Sequence, residues 1–161
     1  MNMAKSKFIS HSPEQTQKLG HRLGELAQAG DVFLLTGNLG SGKTCLTQGI
    51  AWGLCMKEYA FSPSFVLIRE YSGRLPLYHI DFYRLDREQE IADLGLEDYL
   101  YGRGVCVVEW ADKGLSLMPT ERLLINFSYV SENERAVGFE PRGRRYTKVA
   151  SALKAELKKW N

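Results

Sequence analysis

Apolar residues along the chain keep two different rhythms, and the places where one gives way to the other mark out the elements. Leu19, Leu23, Leu26 and Ala27 recur at helical spacing as far as Gly30. Ser12, Pro13 and Gln15 ahead of them read as an N-cap, a first helical residue and the third position of a capping box. An amphipathic helix is therefore predicted before Asp31-Val32-Phe33-Leu34-Leu35-Thr36, a short apolar run of the kind buried on both faces in a parallel sheet. Gly37 ends that run. After a glycine-rich stretch, Leu46, Ile50, Ala51 and Leu54 return to helical spacing, so the order is strand, loop, helix.

Phe65 to Tyr71 and Leu77 to Tyr83 are two strand-like runs joined by Ser72-Gly73-Arg74, a hairpin connection, which predicts a mixed sheet. Helix-favouring, acidic sequence from Asp86 to Tyr101 leads through Gly102 and Gly104 into Val105-Cys106-Val107-Val108-Glu109-Trp110, a second buried-strand pattern that ends on a carboxylate. Past Pro119, Leu123 to Tyr129 and Ala136 to Glu140 read as strands about the polar turn Ser131-Glu132-Asn133-Glu134, and a helix from about Tyr146 to Trp160 follows. With no repeat and no dividing linker, the expectation is one α/β domain over residues 1–161, its mixed, mainly parallel central sheet flanked by helices.

Composition changes this picture little. At 161 residues, 44% hydrophobic and 25% charged, the chain has ordinary globular make-up. Residues Met1 to Ser12 hold no apolar block of signal-peptide length, and no later stretch has the length of a membrane span, so a cytoplasmic protein is expected. Cys45, Cys55 and Cys106 are odd in number and form no CxxC pair, which argues against a disulfide framework or zinc site and predicts reduced, buried thiols. Charge is uneven: from Arg142 to Asn161 seven basic residues stand against Glu156 alone, a net +6 that leaves −4 elsewhere in a chain of net +2. Such a tail fits a nucleic-acid or protein contact, or simply the solvated face of a terminal helix.

The chemistry is concentrated between the first strand and the second helix. Gly37-Asn38-Leu39-Gly40-Ser41-Gly42-Lys43-Thr44 is a complete phosphate-binding loop pattern in the required strand–loop–helix context. Its glycines let the backbone turn around a phosphate with N–H groups inward. Lys43 is placed to neutralise the β and γ phosphates, and the Thr44 hydroxyl is the expected Mg²⁺ ligand. Such a loop needs a carboxylate at the end of a neighbouring buried strand, and Glu109 and Asp81 both end apolar runs. Ser62-Pro63-Ser64-Phe65 offers hydroxyls in a rigid turn where a γ-phosphate-sensing segment would sit. His79, two residues before Asp81, reads as a proton shuttle or a structural partner.

The Asn-Lys-x-Asp guanine-reading motif is absent, so adenine is the expected base. A small-molecule kinase would need an arginine-bearing lid, and Pro141-Arg142-Gly143-Arg144-Arg145 lies too late in the chain for that role. Taken in order, the phosphate loop, Ser62-Pro63-Ser64-Phe65, His79-Ile80-Asp81-Phe82-Tyr83-Arg84-Leu85, Leu94-Gly95-Leu96-Glu97-Asp98-Tyr99 and Val107-Val108-Glu109-Trp110 resemble the TsaE (YjeE) family, the ATPase component of bacterial tRNA threonylcarbamoyladenosine synthesis. The resemblance is collinear from about Ser12 to Arg135.

It implies a compact P-loop NTPase-like domain that binds ATP or ADP, with Thr44 and Glu109 holding Mg²⁺ and Asp81 beside the γ-phosphate. It further implies that Ser62 to Phe65 acts as a switch and that Trp110 and Lys113 lie near the nucleotide or a partner surface. Adenine is implied near Ser12 to Thr16 and Arg135. The implied partners are TsaD-type and TsaB-type proteins, with tRNA contacted indirectly or through the basic tail, and hydrolysis slow in the isolated protein. Three positions depart from the family pattern: Ser64 stands for Thr, Cys45 for a second Thr after the loop, and Ala111 for the Pro that often follows Glu-Trp. Two competing readings are a small-molecule kinase and a non-hydrolysing ATP-dependent assembly module.

Overall fold

The computed structural model describes residues 6–38, 40–57 and 67–160, so Leu39 and the Ser62-Pro63-Ser64-Phe65 segment lie outside the described residues. Its elements run β1 (Ser6–Ser10), α1 (Pro13–Leu26), β2 (Val32–Thr36), α2 (Lys43–Gly53), β3 (Ile68–Tyr71), β4 (Leu77–Asp81), α3 (Glu88–Ala92), α4 (Glu97–Leu100), β5 (Val105–Glu109), a 3-10 segment (Ala111–Leu117), β6 (Arg122–Tyr129), β7 (Arg135–Arg142) and α5 (Arg144–Leu157). The strands form one sheet in the order β1-β7-β6-β2-β5-β4-β3. Its centre, β6-β2-β5-β4, is parallel, and its flanks pair antiparallel as β1/β7, β7/β6 and β4/β3. The expected mixed sheet is present.

Each central strand buries both faces because helices cover both. Phe33, Leu35, Val107 and Ile125 pack with Leu23, Leu46, Ile50 and Leu153 of α1, α2 and α5. Leu34, Ile80 and Val108 pack on the other side with Ile91 and Leu100 of α3 and α4. Successive side chains of a strand alternate between faces. On β4 this puts His79 and Asp81 with Leu77 on the α2 side, and on β5 it puts Glu109 there with Val107.

The Ser12 hydroxyl caps α1 by accepting from the Gln15 N–H at 3.1 Å, as its capping sequence predicts. The Gln15 side chain reaches one residue further back than a capping box requires and accepts from the His11 N–H at 2.8 Å. The stretch from Asp86 to Tyr101 holds two short helices where the composition read as one helix-favouring run, with Gly95 between them at φ 64. Cys106 is buried, as expected, but Cys45 is half-buried and Cys55 is exposed, so burial of all three thiols is corrected. Cys55 follows the last turn of α2 at φ 62, between the buried Leu54 and Met56. Among the described residues no helix is long and apolar enough to cross a membrane.

α1 and α2 meet backbone to backbone. A Cβ on Gly49 would lie 2.0 Å from the Gln17 carbonyl oxygen, and one on Gly20 would lie 2.2 Å from that of Leu46. Gly24 and Gly53 are as tight. Gly49→Ala is expected to lower stability by about 1–3 kcal/mol through overpacking, read as a lower urea midpoint with an unchanged slope.

Candidate functional site

The carboxyl ends of the parallel strands open at the amino end of α2, where an open α/β sheet gathers ligand-binding groups. β2 delivers the phosphate-loop sequence, with Gly37, Gly40 and Gly42 at φ 140, 75 and 110. Side chains are strained at such angles, which explains why glycine occupies these points. Gly42 is the N-cap of α2 and has no capping side chain, so the first N–H groups of this helix face the loop opening as anion donors.

Lys43 begins α2 and is 4% exposed. Its Nζ donates to the carbonyls of Gly37 at 2.5 Å and Asn38 at 2.9 Å, and to the Ser41 hydroxyl at 3.4 Å. It also lies 4.3 Å from the centre of the Trp110 ring. Burial lowers the Lys43 ammonium pKa from its ordinary value, and the carboxylates of Glu109, Asp81 and Asp112 oppose that shift.

In the β4/β5 register Asp81 stands opposite Glu109, so two buried carboxylates share one end of the sheet. The Thr44 hydroxyl donates to Glu109 Oε1 at 3.4 Å, and the other oxygen of that carboxylate meets His79 Nε2 at 2.5 Å. Asp81 Oδ1 accepts the Tyr83 N–H at 2.8 Å. Asp81 and Glu109 line a cavity of about 190 Å³ with residues Gly40 to Cys45, Tyr83 and Trp110, and His79 lies buried behind it.

No group of three or more His, Cys, Asp or Glu among the described residues forms a metal cage. A hydroxyl and one or two carboxylates beside an anion cradle are nevertheless the donor set that Mg²⁺ uses when phosphate oxygens complete its shell. Thr44, Glu109 and Asp81 therefore fit Mg²⁺ bound together with a nucleotide.

A second cavity, about 90 Å³, opens on the other flank of the loop between Ser12, Thr16, Cys45 and Arg135. The residues expected near adenine are thus brought together at the phosphate loop. Arg135 is fixed by the carbonyls of Ser131 at 2.7 Å, Glu134 at 2.9 Å and Glu132 at 3.2 Å, and its other amine reaches the Gly40 carbonyl at 3.4 Å. Cys45 borders both cavities, and its thiol pKa is raised, chiefly by burial and then by Glu14.

Trp110 takes a left-handed backbone conformation directly after β5 and packs on Tyr83, ring centres 5.2 Å apart. Lys113 donates to the carbonyls of Tyr83 at 2.6 Å and Leu85 at 3.0 Å, holding the β4–α3 loop against the 3-10 segment. Tyr83 was missed as a lining residue in the sequence reading, although it follows Asp81 by two positions. The basic tail splits. Arg145 is committed to Asp31 at 2.7 Å and to the Leu26 carbonyl at 2.7 Å, whereas Arg142, Arg144, Lys148, Lys154, Lys158 and Lys159 are exposed.

Residues 10–137 match the family model described as "Threonylcarbamoyl adenosine biosynthesis protein TsaE". The chain is 41% identical over 152 residues to the tRNA threonylcarbamoyladenosine biosynthesis protein TsaE of Bacillus subtilis, covering 94% of this chain and 95% of that one. It is 38% identical over 131 residues to the protein of that name from Treponema pallidum, covering 81% and 97%. In structure it is similar to the crystal structure of YdiB from Bacillus subtilis, with a TM-score of 0.83 and 37% identity over 95% of this chain and 96% of that one.

Proposed function

The chain belongs to the TsaE family, and from that premise we propose that it is a Mg²⁺-dependent ATPase of tRNA threonylcarbamoyladenosine biosynthesis. It acts on a complex of TsaD-type and TsaB-type proteins in the cytoplasm. The observation that carries this reading is the convergence of Lys43, Thr44, Asp81 and Glu109 on one cavity at the amino end of α2.

Lys43 neutralises charge on the β and γ phosphates, the amino end of α2 supplies N–H donors, and Thr44 with Glu109 and Asp81 holds the Mg²⁺. The bound cation supplies charge neutralisation across the phosphates. Asp81 or Glu109 orients the attacking water. The Ser12–Thr16 end of α1 and Arg135 border the adenosine moiety, and Trp110 covers the phosphate side. Hydrolysis changes the protein's affinity for its partner complex and resets it, with Ser62 to Phe65, Ser64 included, as the segment that answers to the γ-phosphate.

Among the described residues nothing closes the cavity over its Lys43 and Glu109 side, which supports slow hydrolysis by the isolated protein. Purified protein with ATP and Mg²⁺ is expected to release ADP slowly, and at least about tenfold faster once the partner complex is added. ADP release that depends instead on a small-molecule acceptor, without those partners, would identify a kinase and overturn the reading.

A further inference from the structure

His79 is the one buried histidine among the described residues: it is 0% exposed and stands in the middle of β4, on the apolar α2 face between Leu77 and the site. An aliphatic side chain would fill that position without the cost of burying an imidazole. The ring makes one polar contact, Nε2 to Glu109 Oε2 at 2.5 Å, while Nδ1 has no hydrogen-bond partner among the described residues. A lone pair is tolerated without a partner more readily than an N–H, which assigns the proton to Nε2 and makes the imidazole the donor.

The two oxygens of the Glu109 carboxylate, itself 3% exposed, are thereby divided. Oε2 is held from below by His79, and Oε1 faces the Thr44 hydroxyl at 3.4 Å. The register explains the geometry. His79 pairs with Val107 and Asp81 with Glu109, so His79 reaches Glu109 on the diagonal from one step deeper in the sheet. Rotation of the carboxylate about its last bond would exchange or withdraw Oε1, and a donor on Oε2 opposes that rotation.

We propose that His79 is a positioning residue that fixes the Glu109 carboxylate with Oε1 toward Thr44, and so sets the affinity of the nucleotide-loaded site for Mg²⁺. The proposal rests on the reading above that Thr44 and Glu109 hold the cation. Partners that orient metal-binding side chains are worth about 10–100-fold in metal affinity when removed.

The test uses the full chain and fluorescent ADP titrated with Mg²⁺. His79→Leu fills the space without a donor. His79→Gln places an amide N–H near the position of Nε2, and His79→Asn places one near Nδ1, out of reach of Glu109. Nucleotide affinity without Mg²⁺ is expected to stay within a few-fold in all three, because the phosphate loop is untouched. The Mg²⁺ concentration for half-maximal effect should rise about 10–100-fold in His79→Leu and His79→Asn and recover in His79→Gln. If His79→Leu fails to fold, as its melting curve would reveal, the Gln and Asn pair decides the matter alone. Mg²⁺ titrations of Leu or Asn variants that overlay the wild type would overturn the positioning role and leave only packing. Wild-type protein whose ADP binding ignores Mg²⁺ would overturn the parent reading, and this one with it.

Discussion

Lys43→Ala is expected to reduce ATP hydrolysis by about 10²–10³-fold, the usual loss when a pre-set charge on the transition state is removed. In a reconstituted tRNA threonylcarbamoylation reaction the variant should sustain no more turnover than a mixture lacking the protein. The expectation follows from the ammonium's place: it is buried, enclosed by Gly37, Asn38 and Trp110, and faced by Glu109 and Asp81. A cation already desolvated interacts more strongly with phosphate than a solvated surface lysine would. Lys43→Arg should not rescue, since a planar guanidinium is too broad for a space shaped by two carbonyls and an indole face. Equal turnover by Lys43→Ala and wild type would remove the phosphate loop from the mechanism.

Glu109→Gln is the second large effect, and it separates binding from turnover. The amide is nearly isosteric and can still accept from His79 through its carbonyl oxygen, so the fold and the phosphate cradle should persist. ATP affinity is expected to remain within a few-fold while hydrolysis falls by about 10²-fold or more. Asp81→Asn, examined in parallel, assigns the water-orienting role to whichever carboxylate costs more in turnover at saturating Mg²⁺. If both variants bound ATP and supported many rounds of tRNA modification, the protein would be a non-hydrolysing assembly module.

How much of this was legible in the chain varied with the distance over which residues had to be related. The phosphate loop is local: three glycines, a lysine and a threonine between a buried strand and a helix leave little freedom, and Gly37, Gly40 and Gly42 all adopt the positive φ such a loop requires. The two carboxylates were legible because an acid closing an apolar run has to meet a partner. β1 was missed. Its five residues SKFIS alternate weakly, and the strand exists because it pairs with β7, more than a hundred positions away. The division of the Glu109 carboxylate between His79 and Thr44 was hidden for the same reason, since it depends on the register of β4 against β5. The apolar spacing that predicts α1 and α2 carries no information about the glycines between those positions. Only the helix crossing shows that they are contact residues.

That crossing has a mechanical side. With carbonyls set against glycines at Gly20, Gly24, Gly49 and Gly53, α1 and α2 touch where no side chain can repack, so sliding or rolling one past the other would drive backbone into backbone. They form one double rod running parallel from the site, with Thr16 in the first turn of α1 and Lys43 at the start of α2 side by side at its site end. The wall that α1 gives to the smaller cavity and the phosphate-loop wall that α2 gives to the larger one are thus held at a constant spacing.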